Sequence, residues 1–147
     1  MPRSQPLTRA DFPYFWHIST RWADNDVYAH VNNAIHYQFF DTAVNGWLLE
    51  QKILDFGKTR TVFLVVETGC TYFAEIAFPD TIHAGIRVTR LGGSSVTYQV
   101  GLFRNDADTA AAQGHFVHVN VGRDNRAPVP ISAATRARLA TLQIAAS

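Results

Sequence analysis

Asn32-Asn33-Ala34-Ile35-His36-Tyr37-Gln38-Phe39-Phe40-Asp41-Thr42-Ala43-Val44-Asn45-Gly46-Trp47-Leu48 is the stretch on which the fold turns. Ile35, Phe39, Ala43 and Trp47 recur at helical spacing, and Phe40, Val44 and Leu48 form the adjacent stripe. Together they make a broad apolar face, with Gln38, Asp41, Thr42 and Asn45 opposite. The pattern predicts a long helix running to about Lys52. Either Asn32 or Asn33 can cap it, because an asparagine side chain accepts a hydrogen bond from an orphan backbone N–H. Gly46 costs the helix roughly 1 kcal/mol relative to alanine. A glycine in that place often permits close packing against another element.

Upstream, Phe15 to Trp22 is rich in aromatic and β-branched residues and reads as a strand, followed by a polar loop from Asp24 to Asn32. Downstream, Gly57 breaks the chain and the pattern turns to β. Val62 to Phe73 is nearly all apolar or β-branched, with Glu67 embedded in it. Pro79-Asp80, Gly92-Gly93 and Asn105-Asp106-Ala107-Asp108 mark turns. Between them Ile82, Ala84, Ile86 and Val88 alternate with more polar residues, as do Val96, Tyr98, Val100 and Leu102. His115, Val117, Val119 and Val121 complete a last strand. The Ala-rich stretch Ala133 to Ala146 reads as a terminal helix. One strand, one helix and then about four consecutive strands predict an α+β fold, an antiparallel sheet wrapped around one long central helix. A lone helix leaves sheet edges open, so pairing with a second subunit is expected.

The chain has 147 residues, the size of a single domain spanning 1–147, and 47% of them are hydrophobic, enough for a real core. No apolar run is long enough to cross a bilayer. A formal net charge of +1 gives no electrostatic case for nucleic acid. The single cysteine, Cys70, allows no internal disulfide framework and no cysteine-rich metal knuckle. Arg3 and Arg9 are followed by no apolar signal region. A cytoplasmic protein without membrane or nucleic-acid partner is expected.

Polar chemistry concentrates before the helix. Asp24, Asp26, His30, Asn32 and Asn33 crowd the junction between strand and helix, where a core would gain nothing from them. If the segment is extended, Asp24 and Asp26 point to one side, roughly 7 Å apart, and each affects the other's protonation. Asp24 reads more plainly as a loop residue bonded to nearby backbone N–H groups. His30 in a loop is more often a structural hydrogen-bonder than a catalyst. Glu67 in an apolar run needs a partner or an interface. Asp24, Asp26 and His30 are possible metal ligands by residue type alone, but no specific ligand spacing supports a metal, and no cofactor is called for.

Asp24-Asn25-Asp26, then Ala29-His30-Val31-Asn32-Asn33 and Tyr37, resembles the D-x-D-x-x-G-H-V-N-N-x-x-x-Y signature of hotdog-fold acyl-CoA thioesterases, the hydroxybenzoyl-CoA thioesterase-like branch. Val65-Val66-Glu67-Thr68, Tyr72-Phe73-Ala74, Phe78-Pro79-Asp80 and Arg90-Leu91-Gly92-Gly93-Ser94-Ser95 are also similar to that family. Ala29 departs from the pattern by replacing a glycine, and would be strained if the backbone there is left-handed.

The resemblance implies a hotdog fold, hydrolysis of an acyl-CoA thioester, and homodimers or homotetramers with sites at the subunit interface. It implies that Asp26, the second aspartate, carries the chemistry as general base or nucleophile. This alone separates it from Asp24. Backbone N–H groups at the helix start near Asn33 would stabilise the oxyanion. Because the CoA thiolate leaves readily, one carboxylate suffices without a Ser-His pair. Glu67 and His30 are candidates for assisting acid–base or orienting roles. Asn32, Asn33 and Tyr37 are candidates for holding water or lining an acyl pocket. Arg90, Ser94 and Ser95, with Arg87, Arg104 and Arg123, are candidates for the CoA phosphates.

Three other readings compete. Asp24-Asn25-Asp26-Val27 after an apolar strand resembles the nucleophile motif of haloacid-dehalogenase-type phosphatases, but that fold needs alternating strands and helices. A hotdog hydratase or dehydratase would use a histidine and a carboxylate at D-x-x-x-x-H spacing, and Asp26 to His30 is one residue short. A non-catalytic acyl-CoA-binding dimer is compatible with the same fold.

Overall fold

The computed structural model of the chain describes residues 5–55 and 59–144. Five strands, β1 (Tyr14–Ser19), β2 (Thr61–Tyr72), β3 (Thr81–Leu91), β4 (Ser95–Arg104) and β5 (Ala112–Gly122), form one antiparallel sheet in the order β1-β3-β4-β5-β2. The helix α1 (Ile35–Glu50) lies against one face, and α2 (Ala133–Ala140) follows β5. Strand, helix, then four strands around that helix is the hotdog arrangement expected above. None of the described helices is long and apolar enough to cross a membrane.

The stripe read from the sequence is the one that packs. Phe39, Phe40, Ala43, Val44, Trp47 and Leu48 are buried on α1. They meet Ile82, Ala84, Ile86 and Val88 of β3, Val96, Tyr98, Val100 and Leu102 of β4, and Phe116 of β5 in one cluster. Gly46 is needed for its lack of a side chain. A Cβ built there would stand 2.8 Å from the Trp16 indole of β1, closer than carbon atoms can approach. A smaller cluster occupies the opposite face of the sheet, where Phe12 and Phe103 meet edge-on at 5.8 Å. Arg9 holds this N-terminal segment down, its guanidinium over the Phe103 ring and its Nε donating to the Ala107 carbonyl at 2.7 Å.

Several boundaries differ from the sequence reading. β1 ends at Ser19, and Trp22–Asp24 forms a short 3-10 turn because the Asp24 carboxylate folds back to accept the Arg21 N–H at 2.8 Å. The segment from Asp24 to Asp26 is therefore not one extended run with both acids on one side. The helix has 16 residues and ends at Glu50 rather than Lys52, whose φ of 59° turns the chain out of it. The C-terminal helix stops at Ala140. The expected Gly57 break lies outside the described residues.

Candidate active site

The approach to α1 is built by backbone hydrogen bonds that fold the polar loop onto itself. Asp26 N–H donates to the His30 carbonyl at 3.0 Å, and Asn32 N–H donates to the Asp24 carbonyl at 3.0 Å. Val31 N–H bonds the Ile76 carbonyl at 2.6 Å and ties the loop to the β2–β3 connection. Ala29 has a φ of 66°, the left-handed backbone that its replacement of glycine called into question. Neither asparagine caps α1: the N-cap position is Ala34, with no side-chain cap bond, and Asn32 instead closes an Asx turn just ahead of it. The Asn32 Oδ1 accepts the Ala34 N–H at 3.0 Å, and its carbonyl accepts the Ile35 N–H at 2.9 Å. The Asn33 carbonyl accepts the Tyr72 hydroxyl of β2 at 2.7 Å, which fastens the opening turn of the helix to the sheet edge.

A cleft of about 230 Å³ opens beside this turn. His30, Asn33, His36, Tyr72 and Glu75 line it, with Val31 and Ile76 as apolar floor. Its walls are the loop, the first turn of α1 and the end of β2, so donors at a helix N-terminus and titratable side chains meet there. A second cleft of similar size flanks the far half of α1, lined by Leu48, Phe63, Asn120 and Ile131 among others. Among the described residues no acid, histidine or cysteine lines that one, so the first cleft is the candidate.

The two aspartates part company. Asp24 is buried. Its Oδ2 accepts the Arg21 backbone N–H at 2.8 Å, as its plain structural reading expected, and its Oδ1 pairs with the Arg21 guanidinium at 2.8 Å. Its oxygens are spent there, which removes it from any ligand set with Asp26 and His30. Asp26 is half-buried. One oxygen accepts the Tyr28 N–H at 2.8 Å, and nothing described bonds the other. Asp26 does not itself line the cleft, but its backbone is bonded to His30, which does. His30 Nε2 faces Glu75 Oε1 at 3.7 Å. Tyr37 is half-buried and packs on Phe40, and the Tyr72 hydroxyl neighbours both the Tyr37 hydroxyl and the Cys70 thiol. Burial pushes the Cys70 thiol up to about 11 and raises Tyr72 too, so both stay protonated at neutral pH.

Other candidates lie elsewhere in the subunit. Glu67 follows a bulge in β2, and the register pairs it with Val117 on the sheet face away from α1. There it bonds His115 Nε2 at 3.0 Å, the partner that a carboxylate in an apolar run required. Arg90, Ser94 and Ser95 sit at the β3–β4 hairpin. Ser95 pairs with Val119, whereas the cleft adjoins Ala112 at the other end of β5, about 20 Å away at 3.3 Å per residue. Of the four candidate arginines, three are committed. Arg87 bonds Gln99 at 2.7 Å, Arg104 pairs with Asp80 at 2.9 Å, and Arg123 bonds the Thr59 carbonyl at 2.6 Å. Of these four, only Arg90 is exposed with no side-chain partner among the described residues.

His36, Tyr72 and Glu75 were not singled out by sequence reasoning as site residues. A signal existed for the first: His36 stands one turn before Phe40 at the head of an apolar stripe, where a polar residue needs a reason.

The model of the thioesterase-like superfamily matches residues 20–139, from the end of β1 to α2. The chain belongs to the thioesterase-like superfamily. The crystal structure of the PA5185 protein from Pseudomonas aeruginosa strain PAO1 is 48% identical, with a TM-score of 0.93 over 97% of this chain and 100% of that one. Slr0204, a 1,4-dihydroxy-2-naphthoyl-CoA thioesterase from Synechocystis, shares the fold at a TM-score of 0.77 and 14% identity, over 86% of this chain and 95% of that one. YsmA of Bacillus subtilis is 20% identical over 89 residues, and the match spans 60% of its length. Superfamily membership agrees with the reading of a thioester hydrolase and with the antiparallel α+β fold. The parallel fold of the phosphatase reading is excluded by the sheet itself.

Proposed function

We propose that this protein hydrolyses acyl-CoA thioesters to the free acid and CoA, with Asp26 as general base or nucleophile. The observation that carries the reading is the half-buried Asp26 carboxylate, one oxygen uncommitted, held by its backbone beside the cleft at the opening turn of α1. Asn33 N–H has no partner among the described residues. A thioester carbonyl beside that turn would find this donor and the positive end of the helix as its oxyanion forms. Asn32 and Tyr37 would shape the same turn, with His30 orienting the carboxylate or substrate.

The CoA end calls for a second copy of the chain. Arg90, Ser94 and Ser95 are too far from the cleft within one subunit, so in this reading a partner presents them, and Glu67 as well, across a homodimer or a pair of dimers. The exposed edge of β2, with Val65 and Val66 uncovered, supports such pairing. A cytoplasmic enzyme is part of the same reading.

A panel of aryl, short and long acyl-CoAs with detection of free thiol tests the activity, run with and without chelator. Thiol release that the chelator leaves unchanged is expected for at least one class. Hydration of an enoyl-CoA without thiol release would replace the reading with a hydratase. Retention of acyl-CoA without any thiol would replace it with a binding dimer.

A further inference from the structure

His36 is buried on the first turn of α1 and lines the cleft. Its Nδ1 lies 3.3 Å from the Asn32 carbonyl. A carbonyl only accepts, so that bond places the ring proton on Nδ1 and the lone pair on Nε2. Nothing described hydrogen-bonds Nε2, and it is absent from the buried polar atoms that lack a partner. In a residue of 3% exposure, Nε2 therefore keeps some accessible surface, and the cleft is the open space that His36 lines. The ring orientation is fixed by the edge of its contact with Tyr72, the two centroids 4.8 Å apart and the planes at 84°.

We propose that His36 Nε2 is the base for the water in this reaction, which assigns the attacking role to Asp26. This rests on the thioesterase reading above. The Asp26 carboxylate forms a bond to the acyl carbon, the C–S bond breaks, and CoA leaves as thiolate. Water then attacks the acyl carbon of the mixed anhydride while its proton passes to His36 Nε2. The bond from Asp26 oxygen to the acyl carbon breaks, the free acid departs, and His36 returns its proton to solvent or to the thiolate. The same histidine orders the donor side. By bonding the Asn32 carbonyl it fixes the Asn32–Asn33 peptide, whose N–H has no partner among the described residues.

The groups around His36 suit this role. Burial holds its pKa below the ordinary value, so the ring is neutral at pH 7. Backbone hydrogen bonds to Asn32 and Asn33 work against burial, and His30 on the loop adds a smaller opposition to protonation. Tyr72 on β2 is neutral, and Glu75 on the β2–β3 connection is turned to His30.

His36→Asn is the discriminating variant, because an asparagine amide can still reach the Asn32 carbonyl but carries nothing in place of Nε2. His36→Phe, which fills the volume with no nitrogen, is the second. Rapid mixing with the best acyl-CoA of the panel reads thiol release before and during turnover. His36→Asn is expected to release one thiol per subunit at nearly the parent rate, and His36→Phe to release it more slowly because it loses the bond to the Asn32 carbonyl. Both then turn over about 100-fold more slowly than the parent. The parent's loss of turnover toward acid pH, where His36 protonates, disappears in both. Asp26→Asn shows neither burst nor turnover. Turnover and pH profile like the parent's in either His36 variant would overturn the role of His36 and leave the thioesterase reading standing. A parent chain that releases no thiol from any substrate would overturn that reading and this inference with it.

Discussion

His118 is sealed on the helix-facing side of β5, its ring 5.0 Å from that of Phe116, 5.5 Å from Phe63 and 5.6 Å from Tyr98. Its Nδ1 has no hydrogen-bond partner among the described residues. Burial therefore drives its pKa down to about 4 from 6.5. The sign of the consequence is fixed by linkage. Above pH 6.5 the ring is neutral whether folded or unfolded and costs nothing in charge. Between pH 6.5 and 4 the unfolded chain takes up a proton that the folded chain refuses, so stability falls by up to about 3 kcal/mol. His118→Leu should abolish this acid loss. Urea unfolding of both chains at pH 7 and pH 4.5 reads it as a gap between parent and variant that widens in acid. A gap independent of pH would mean that the ring is solvated. Nothing in the sequence marked His118, since an alternating strand reads the same whichever residue faces inward. The roles of Asp24 and Asp26 were equally hidden from composition. The burial of Asp24 and its pairing with the exposed Arg21, against the half-buried Asp26 with one oxygen uncommitted, separate the two acids physically.

At the scale of the element, α1 was the most legible part of the chain. Seven apolar positions at one period leave little choice about which face turns inward. Ile35 is only half-buried, being at the frayed start, and the other six are buried. Gly46 was legible as a packing site, though not its partner, because Trp16 reaches it from a strand 30 residues earlier in the chain. Gly46→Ala is expected to destabilise by about 1–2 kcal/mol. Alanine's helix propensity returns about 1 kcal/mol, but a methyl 2.8 Å from a rigid indole forces repacking worth more. Thermal unfolding measures it, and a raised melting temperature would show that Trp16 has room to move. Strand boundaries were less legible. The Asp24 turn cuts β1 short, and the β2 bulge between Val65 and Glu67 changes which face Glu67 takes. A bulge leaves no mark in a run of valines.

For the whole molecule, the order of elements was enough to define the hotdog fold, and the loop before α1 does border a cleft that His30 and Asn33 line. What could not be read was the distance between pieces of the signature. The motif residues around Asp26 gather at one end of the sheet, while Arg90, Ser94 and Ser95 lie at the other. Linear order carries no information about which end of an antiparallel strand a residue occupies once a second subunit can supply the missing half. The exposed valines of the β2 edge make the same point, since one subunit gives them nothing to cover. The central claim nonetheless rests on one carboxylate. Its most direct test is thiol release from acyl-CoA by the parent chain and by Asp26→Asn, compared at equal melting temperature and equal oligomeric state. The account predicts that the variant loses at least about 100-fold in turnover while folding and assembling as before. Equal rates for the two chains across the substrate panel would contradict it.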